Sequence, residues 1–162
     1  FWLIGVDVLA WLVIHLGVAW LGTQLPARWF DPAASWFRER RFEQNGRLYE
    51  CAFLVRAWKG WLPDGAALFA GGFRKAALPK ANAAYLDRFV IETCRGEAVH
   101  WGVFAAALLF FAWNPWPVGF VMIGYGALAN MPCIIAQRYN RIRLLRVCRQ
   151  RQRREKRHAP EQ

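Results

Sequence analysis

The sequence predicts an all-α integral membrane protein with three or four transmembrane helices and interfacial amphipathic helices. Hydrophobic residues make up 56% of its 162 residues, above the roughly 45–50% of soluble domains. Ten Trp and twelve Phe are many for this length, and such residues form belts at membrane interfaces. The net charge of +11 is uneven, because residues 137–162 hold ten Arg or Lys against two Glu. We therefore expect a single membrane domain over residues 1–162 with a basic tail at 137–162.

The first predicted span lies near residues 1–21, a mostly apolar run that is long enough to cross a hydrocarbon core of roughly 30 Å. A signal peptide is the alternative, but the run has no basic n-region and no clear small-x-small cleavage site. Its ionisable residues are Asp7 and His15. Either Asp7 lies near one interface and His15 bonds to a neighbouring helix, or both line a polar interior. Pro26 ends the span, since proline cannot continue a helix.

Residues 28–80 are predicted to lie at the interface. Up to Lys59 they mix aromatic and basic side chains, which is typical of short amphipathic pieces in the headgroup layer. Most of these basic residues are expected to anchor lipid. Arg56 and Lys59 share one helical face and are candidates for holding a phosphate or carboxylate. Residues 66–78 are too short to span, so we expect a shallow re-entrant or interfacial piece there.

The second and third predicted spans form a hairpin. Residues 98–113 contain no charge, and their helix is expected to begin near Ala83. Two prolines in residues 114–117 forbid continuous helix and predict the turn. Residues 118–136 form the third span, in which several Gly and Ala allow another helix to approach closely. Pro132 is expected to loosen the backbone of this span.

The distribution of Arg and Lys predicts the orientation. Cytoplasmic segments carry an excess of these residues, so the C-terminal tail is expected in the cytoplasm. The hairpin places residues 92–100 on the same side, and the basic residues 28–59 belong there too. The protein is therefore expected to be multi-pass, with its N-terminus outside and its C-terminus inside.

A run of ionisable residues at the start of the second span is the candidate site. Glu97 and His100 are three residues apart and share a helical face, as do Glu92 and Arg95. At 100° per residue, Arg95 lies about 60° to one side of the other polar residues. Charged groups at the edge of hydrocarbon are expensive unless they are paired or used. The hairpin brings this run level with polar residues of the third span and the tail, namely Asn130, Gln137, Arg138 and Asn140.

A pocket of this kind suits acyl transfer to a hydroxyl. His100 is a candidate general base, oriented by Glu97, for a hydroxyl that attacks a thioester. Basic residues are candidates for holding the phosphates of an acyl carrier. They are Arg138, Arg141, Arg143, Arg56 and Lys59. Two alternatives stay open for Glu97 and His100: a buried structural ion pair, or a metal site with Glu92 as a third ligand, which no HExxH motif supports.

Other functional classes fit fewer features of the sequence. A basic tail beyond a span most often marks topology and binds anionic lipid, and this one lacks the interleaved aromatic residues of a nucleic-acid surface. The four cysteines show neither a disulfide framework nor a zinc spacing. The leading alternative to an enzyme is a non-catalytic subunit of a larger membrane complex that binds pigment or lipid.

Five motifs occur in the order and spacing of one protein family. They are LGTQLP at 21–26, FEQNG at 42–46, RAWK with LPDG at 56–65, IETCRGEAVHW at 91–101, and NMP with QRYNRIRL at 130–144. The chain resembles the glycosyl-4,4'-diaponeurosporenoate acyltransferases, small membrane enzymes of staphyloxanthin-type carotenoid biosynthesis. The resemblance extends from about residue 12 to about residue 150.

The resemblance implies transfer of a fatty acyl group onto the sugar hydroxyl of a glycosylated carotenoid acid, or of a similar glycolipid, at the bacterial cell (inner) membrane. It implies an acyl donor, acyl-CoA or an acyl carrier, as co-substrate, with no bound cofactor or metal. The expected partners are membrane lipids and the glycoside, not nucleic acid. The family supplies no catalytic residues, so His100 and Glu97 remain a chemical inference. The expected substrate-binding residues are Glu92, Arg95, Asn130, Gln137, Arg138, Tyr139, Asn140, Arg141, Arg56 and Lys59.

Overall fold

The computed structural model describes residues 2–62 and 83–158. Every regular element in these two ranges is helical, which confirms the all-α class. The α-helices are α1 (Trp2–Gln24), α2 (Arg47–Cys51), α3 (Val55–Trp58), α4 (Ala83–Ala106) and α5 (Trp116–His158). Shorter 3₁₀ helices cover Ala27–Phe30, Arg41–Gly46, Lys59–Trp61 and Ala107–Ala112. The re-entrant piece predicted at 66–78 lies outside the described residues.

Helix α1 presents apolar side chains around most of its circumference. Only Asp7, Trp11 and Gly22 of its 23 residues are buried, and a helix that is hydrophobic all round needs an apolar medium or a large core. The Asp7 carboxylate accepts hydrogen bonds from Trp113 Nε1 and Asn114 Nδ2, both at 2.8 Å. This contact joins the N-terminal end of α1 to the turn between α4 and α5.

His15 does not bond to a neighbouring helix as expected. Its Nδ1 lies 2.9 Å from the carbonyl oxygen of Trp11, one turn earlier in α1. Backbone carbonyls are available to a side chain of the same helix at this spacing. A local partner therefore replaces the partner that was expected across the helix interface.

Helices α4 and α5 form the predicted antiparallel hairpin. The described part of this helix begins at Ala83, the first residue after the gap, changes to 3₁₀ geometry at Ala107, and ends at Ala112. Only Pro115 of the two prolines lies in the turn, because α5 already begins at Trp116. Pro117 is tolerated in the first turn of α5, where its missing N–H would have no helical partner.

Helix α5 continues far beyond the predicted end of the third span. It runs for 43 residues with Pro132 inside it, which corresponds to about 65 Å and is twice the thickness of a hydrocarbon core. The basic residues beyond position 136 are therefore helical up to His158. Several of them face protein rather than water, as the buried side chains of Tyr139 and Arg141 demonstrate.

Two helices in the described ranges are long and apolar enough to cross a membrane. They are α1 and residues 116–154 of α5. The second predicted span, residues 98–113, does not meet the same criteria. Its helix carries Glu92, Arg95 and Glu97 just before the apolar run, and it changes to 3₁₀ geometry within that run.

Glycines permit close contacts between these helices. A Cβ on Gly22 of α1 would lie 2.4 Å from Val99 Cγ2 of α4, and one on Gly126 of α5 would lie 3.2 Å from the Trp11 ring. Small residues at helix interfaces allow such approach in membrane proteins. The contact of Gly126 confirms that expectation for the third span, whereas Gly124 has nothing within 4 Å.

The short helices between residues 27 and 62 cover one end of the hairpin. Phe37 packs near Cys94 of α4, and Tyr49 packs with Tyr139 of α5. Gly46 has a φ of +91°, and a Cβ on it would lie 3.5 Å from the Tyr139 ring; the positive φ favours glycine. The predicted short helical pieces are thus present, and they are fixed to α4 and α5.

Gly22→Ala is expected to destabilise the protein, because the added methyl group collides with the stiff Val99 side chain. Overpacking of this kind costs about 1–3 kcal/mol. Gly17→Ala is the matched control, since nothing lies within 4 Å of its Cβ position, and it should gain stability through better helix propensity. Unfolding free energies measured in detergent micelles compare the two variants. Equal values for them would contradict the close α1–α4 contact.

Candidate functional site

The predicted site residues gather at one end of the helical bundle. There α1 ends, α4 enters its apolar run, and α5 leaves the apolar part of the bundle. The contact of Gly22 with Val99 and the contact of Gln137 with Gly96 define this level. The two helices of the hairpin thus bring the two polar runs together, as the sequence predicted.

Three buried residues, Glu43, Glu97 and Arg141, form an alternating charge network with the partly buried Arg138. Arg138 donates to Glu43 Oε1 and to Glu97 Oε1, both at 2.9 Å. Arg141 donates to the other oxygen of Glu97 and to the Phe37 carbonyl. Both glutamates are fully buried, and the network is electrically balanced. Its role is to join α4 and α5 to the segment that contains Glu43.

Glu43 is held in its charged form within this network. Burial by itself raises the pKa of Glu43, but hydrogen bonds from Arg138, the Tyr49 hydroxyl and the Arg40 amide outweigh it. The pKa of the carboxyl group therefore lies below its usual value of 4.5. Burial and the neighbouring Glu43 raise the pKa of Tyr49, so its hydroxyl stays protonated and donates.

Glu43 and Tyr49 were not among the predicted site residues. Glu43 belongs to the FEQNG motif at 42–46, and that motif was the available signal in the sequence. Nothing in the spacing of Tyr49 pointed to the network. A carboxylate inside a stretch of surface-like residues was interpreted as part of an interfacial segment.

The Arg141 side chain is enclosed on all sides. It is 1% exposed, and its guanidinium lies over the Phe37 ring at 5.5 Å. Within the described ranges, its Nη1 is the one buried side-chain nitrogen or oxygen without a hydrogen-bond partner. Arg141 is therefore bound into the fold and does not present its charge to water.

His100 pairs with Asn130 across the α4–α5 interface. The distance from His100 Nδ1 to Asn130 Oδ1 is 2.9 Å, and Asn130 Nδ2 donates to the Gly126 carbonyl at 2.9 Å. The Gly126 carbonyl oxygen can only accept a hydrogen bond, so the Asn130 atom that faces it must be the amide nitrogen. The amide oxygen of Asn130 therefore faces His100. Nδ1 of His100 therefore carries a proton, which leaves the Nε2 lone pair of the neutral ring free to act as a base.

The expected hydrogen bond between Glu97 and His100 is wrong. Both oxygens of Glu97 bind arginines, and Asn130 is the group that orients His100. Guanidinium groups are preferred partners of a buried carboxylate, because only opposite charge offsets its desolvation. The alternative of a buried ion pair between Glu97 and His100 is wrong as well, because the ion pairs of Glu97 are with Arg138 and Arg141. In the described ranges, Glu97, His100 and Glu92 do not form a group that could hold a metal ion.

Gln137 lies between the charge network and the His100–Asn130 pair. It is seven residues after Asn130 and so lies on the same face of α5. A Cβ on Gly96 would be 2.9 Å from Gln137 Nε2, so glycine leaves room for this amide. Polar groups therefore follow one face of α5 from Asn130 to Arg141.

Glu92 and Arg95 are directed to α1 and not to this polar face. Arg95 Nε donates to Glu92 Oε2 at 3.1 Å, and its Nη1 donates to the carbonyls of Gly22 and Leu25. The last carbonyls of a helix lack intrahelical partners, so Arg95 caps the C-terminal end of α1. The structure thus separates these two predicted residues from Glu97 and His100.

A second polar group lies nearer to water, and we call it the outer basic cluster. The Tyr139 hydroxyl donates to Glu50 at 2.6 Å and accepts from Arg56 Nε at 3.1 Å. Lys59 Nζ donates to Asn140 at 2.9 Å. The cluster consists of Arg56, Lys59, Tyr139, Asn140 and Arg143. The structure therefore unites the predicted Arg56 and Lys59 with predicted residues of α5.

Comparisons with known proteins identify related sequences. A family profile described as glycosyl-4,4'-diaponeurosporenoate acyltransferase matches residues 33–150. Proteins of that name from Staphylococcus aureus strains USA300 and COL are 35% identical to this chain over 148 residues, which is 91% of the chain and 89% of each relative. The protein of strain Newman is 34% identical over the same length. No solved structure matches the chain.

Glu97→Gln is expected to lower the free energy of unfolding by about 3–5 kcal/mol, because it leaves Arg141 buried beside a neutral group. Glu92→Gln is the matched control on the same helix. Its partner Arg95 keeps two carbonyl acceptors, so the loss should stay near 0–1 kcal/mol. Unfolding in detergent micelles measures both values. A loss at Glu97 no larger than that at Glu92 would show that the charge network does not stabilise the fold.

Proposed function

Because this chain belongs to the glycosyl-4,4'-diaponeurosporenoate acyltransferase family, we propose that it moves a fatty acyl group onto the sugar hydroxyl of a glycosylated carotenoid acid or a similar glycolipid. Its family makes it an acyltransferase, which favours the enzyme over a pigment-binding subunit. The observation that carries the proposed site is the His100–Asn130 pair. It offers an oriented imidazole in an apolar interior, adjacent to a line of polar side chains.

The chemistry assigned to this site is general-base catalysis. Nε2 of His100 takes the proton from the sugar hydroxyl as the hydroxyl oxygen bonds to the carbonyl carbon of an acyl thioester. The carbon–sulfur bond then breaks, and the imidazolium returns the proton to the leaving thiolate. Asn130 Oδ1 accepts from Nδ1–H throughout, which holds the ring in one tautomer. The Gln137 amide is proposed to donate to the developing oxyanion.

The outer basic cluster is proposed to hold the phosphates of the donor, an acyl-CoA or an acyl carrier. Arg56 supports this role, because its ion pair with Glu50 at 3.3 Å leaves 61% of its side chain exposed and guanidinium groups bind phosphate well. Arg138 and Arg141 were candidates for the same task. Their charges are balanced by Glu43 and Glu97, so we assign them to positioning α4 and α5.

The site is proposed to lie at the cytoplasmic side of a bacterial cell membrane. Helix α1 and the apolar part of α5 cross the bilayer, and α4 with Ala107–Ala112 completes a third crossing. This arrangement is supported by the hydrogen bond from Asn114 in the hairpin turn to Asp7 near the start of α1. It places the start of α1 and the hairpin turn at the same depth in the bilayer. The basic residues of α5 beyond position 136 favour the cytoplasm for this end of the bundle.

This orientation predicts how two cysteines react with a membrane-impermeant maleimide. Cys51 is exposed at the proposed cytoplasmic end, so it should be labelled only after the cells are permeabilised. A cysteine placed at the exposed start of α5 by Trp116→Cys should be labelled in intact cells, in a background in which Cys51 is serine. Labelling of Cys51 in intact cells would reverse the proposed orientation.

His100→Gln is expected to reduce transfer by about 10²–10⁴-fold, the usual contribution of a general base. Glutamine keeps a donor for Asn130, so the fold should survive. The assay follows labelled palmitate from palmitoyl-CoA, or from a palmitoylated acyl carrier, to a glycosylated carotenoid acid. Gly17→Ala, whose added methyl group touches nothing, is the control for the effects of expression and purification. Equal transfer by wild type and His100→Gln would remove His100 from the mechanism, and no transfer by wild type would overturn the proposed function.

A further inference from the structure

A groove lies between α1 and α5. Along the bundle, His100 lies between this groove and the charge network. Its volume is about 670 Å³, within the roughly 300–1,000 Å³ of ligand sites. The two helices run in the same direction here, with Val8 on one wall and Val121 on the other. The remaining apolar walls include Ile4, Leu12, Val118 and Met122.

Polar groups at the floor of the groove have hydrogen-bond partners within the protein. Trp11 Nε1 donates to Met122 Sδ at 3.3 Å, and Asp7 is bound by Trp113 and Asn114. A hydrocarbon occupant therefore meets apolar walls from Ile4 onward.

Polar groups are concentrated at the other end of the groove. His15 and Tyr125 line this end, and both rings lie within 5.4 Å of the Trp11 ring, measured between centroids. Asn130, the partner of His100, donates to the Gly126 carbonyl, and Gly126 lies against the Trp11 ring of the groove. One end of the groove is thus joined to the proposed catalytic base through Trp11, Gly126 and Asn130, and the rest is apolar except for Asp7.

The length of the groove selects the kind of occupant. Ile4 and His15 are eleven residues apart on α1, which corresponds to about 16 Å. A hydrocarbon core is roughly 30 Å thick, so the groove is as long as one leaflet. A single fatty acyl chain has this length, whereas an extended polyene that crosses a bilayer is longer.

We propose that the groove between α1 and α5 binds the fatty acyl chain of the donor, with the methyl end at Ile4 and the carbonyl end at His15. The inference rests on the proposed function, because it places the reacting carbonyl beside His100. It identifies His15 and Tyr125 as the residues at the mouth of the acyl site. The sugar hydroxyl then approaches from the side of Gln137.

The test uses a palmitic acid analogue with a diazirine, which forms a covalent bond with neighbouring residues under light. The wild-type protein in detergent should be labelled on residues 4–15 or 118–125, and excess palmitate should compete. Val8→Trp and Val121→Trp fill the groove from its two walls and should each reduce labelling about tenfold or more, as the loss of pocket contacts typically costs 10–200-fold. Two variants on different helices guard against the failure of one to fold.

Matched controls carry the same substitution outside the groove. Val13→Trp lies on α1 and Leu128→Trp on α5; both side chains are exposed and neither lines the groove. They should keep wild-type labelling. Labelling elsewhere, equal labelling of Val8→Trp and Val13→Trp, or competition by the carotenoid glycoside but not by palmitate would each overturn the acyl-chain site.

Transfer kinetics separate this inference from the proposed function. In the groove variants, the ratio of kcat/KM for palmitoyl-CoA to that for octanoyl-CoA should fall about tenfold or more, because the shorter chain avoids the new indole. Groove labelling without any transfer would support the acyl-chain site and overturn the proposed function. Transfer without groove labelling would support the proposed function and overturn the acyl-chain site.

Discussion

The buried charge network connects three parts of the chain that are far apart in sequence. Glu43 belongs to the short helices, Glu97 to α4, and Arg138 to α5. Each ion pays several kcal/mol to leave water, so each is stable in the interior only while its opposite charges are present. The short helices, α4 and α5 must therefore come together as one unit at this end of the bundle.

The network also sets the register of the proposed catalytic pair. Glu97 precedes His100 by one turn, and Asn130 precedes Arg138 by about two turns. Both helices are rigid over these distances, so the contact of Glu97 with Arg138 fixes the level at which His100 meets Asn130. Because the carboxylate is already neutralised by two guanidinium groups, an uncharged amide is left to orient the imidazole. That partner adds no further charge to an apolar interior.

Local properties explain which features the sequence could predict. The apolar run at 98–113 and the prolines after Trp113 can be recognised from consecutive residues. They were therefore enough to predict the hairpin and the convergence of its polar ends. The partners of Glu97 depend on contacts between helices, and spacing along one helix favoured His100 instead. Glu43 lies in a short 3₁₀ helix whose apolar residues follow no regular spacing. Its burial therefore could not be predicted from the sequence. Arg95 was about 60° away from its neighbours on the helix, and that rotation directs it to α1.

The uninterrupted length of α5 limits how this protein can change its length in evolution. One helix carries the groove wall at Val121, the amide at Asn130, the network at Arg138 and the outer basic cluster at Arg143. A single inserted residue would turn everything beyond it by 100° and shift it by about 1.5 Å. Such an insertion would separate groups that must work in one line. Insertions and deletions are therefore tolerable only outside this helix, whereas substitutions on its exposed side leave the line intact.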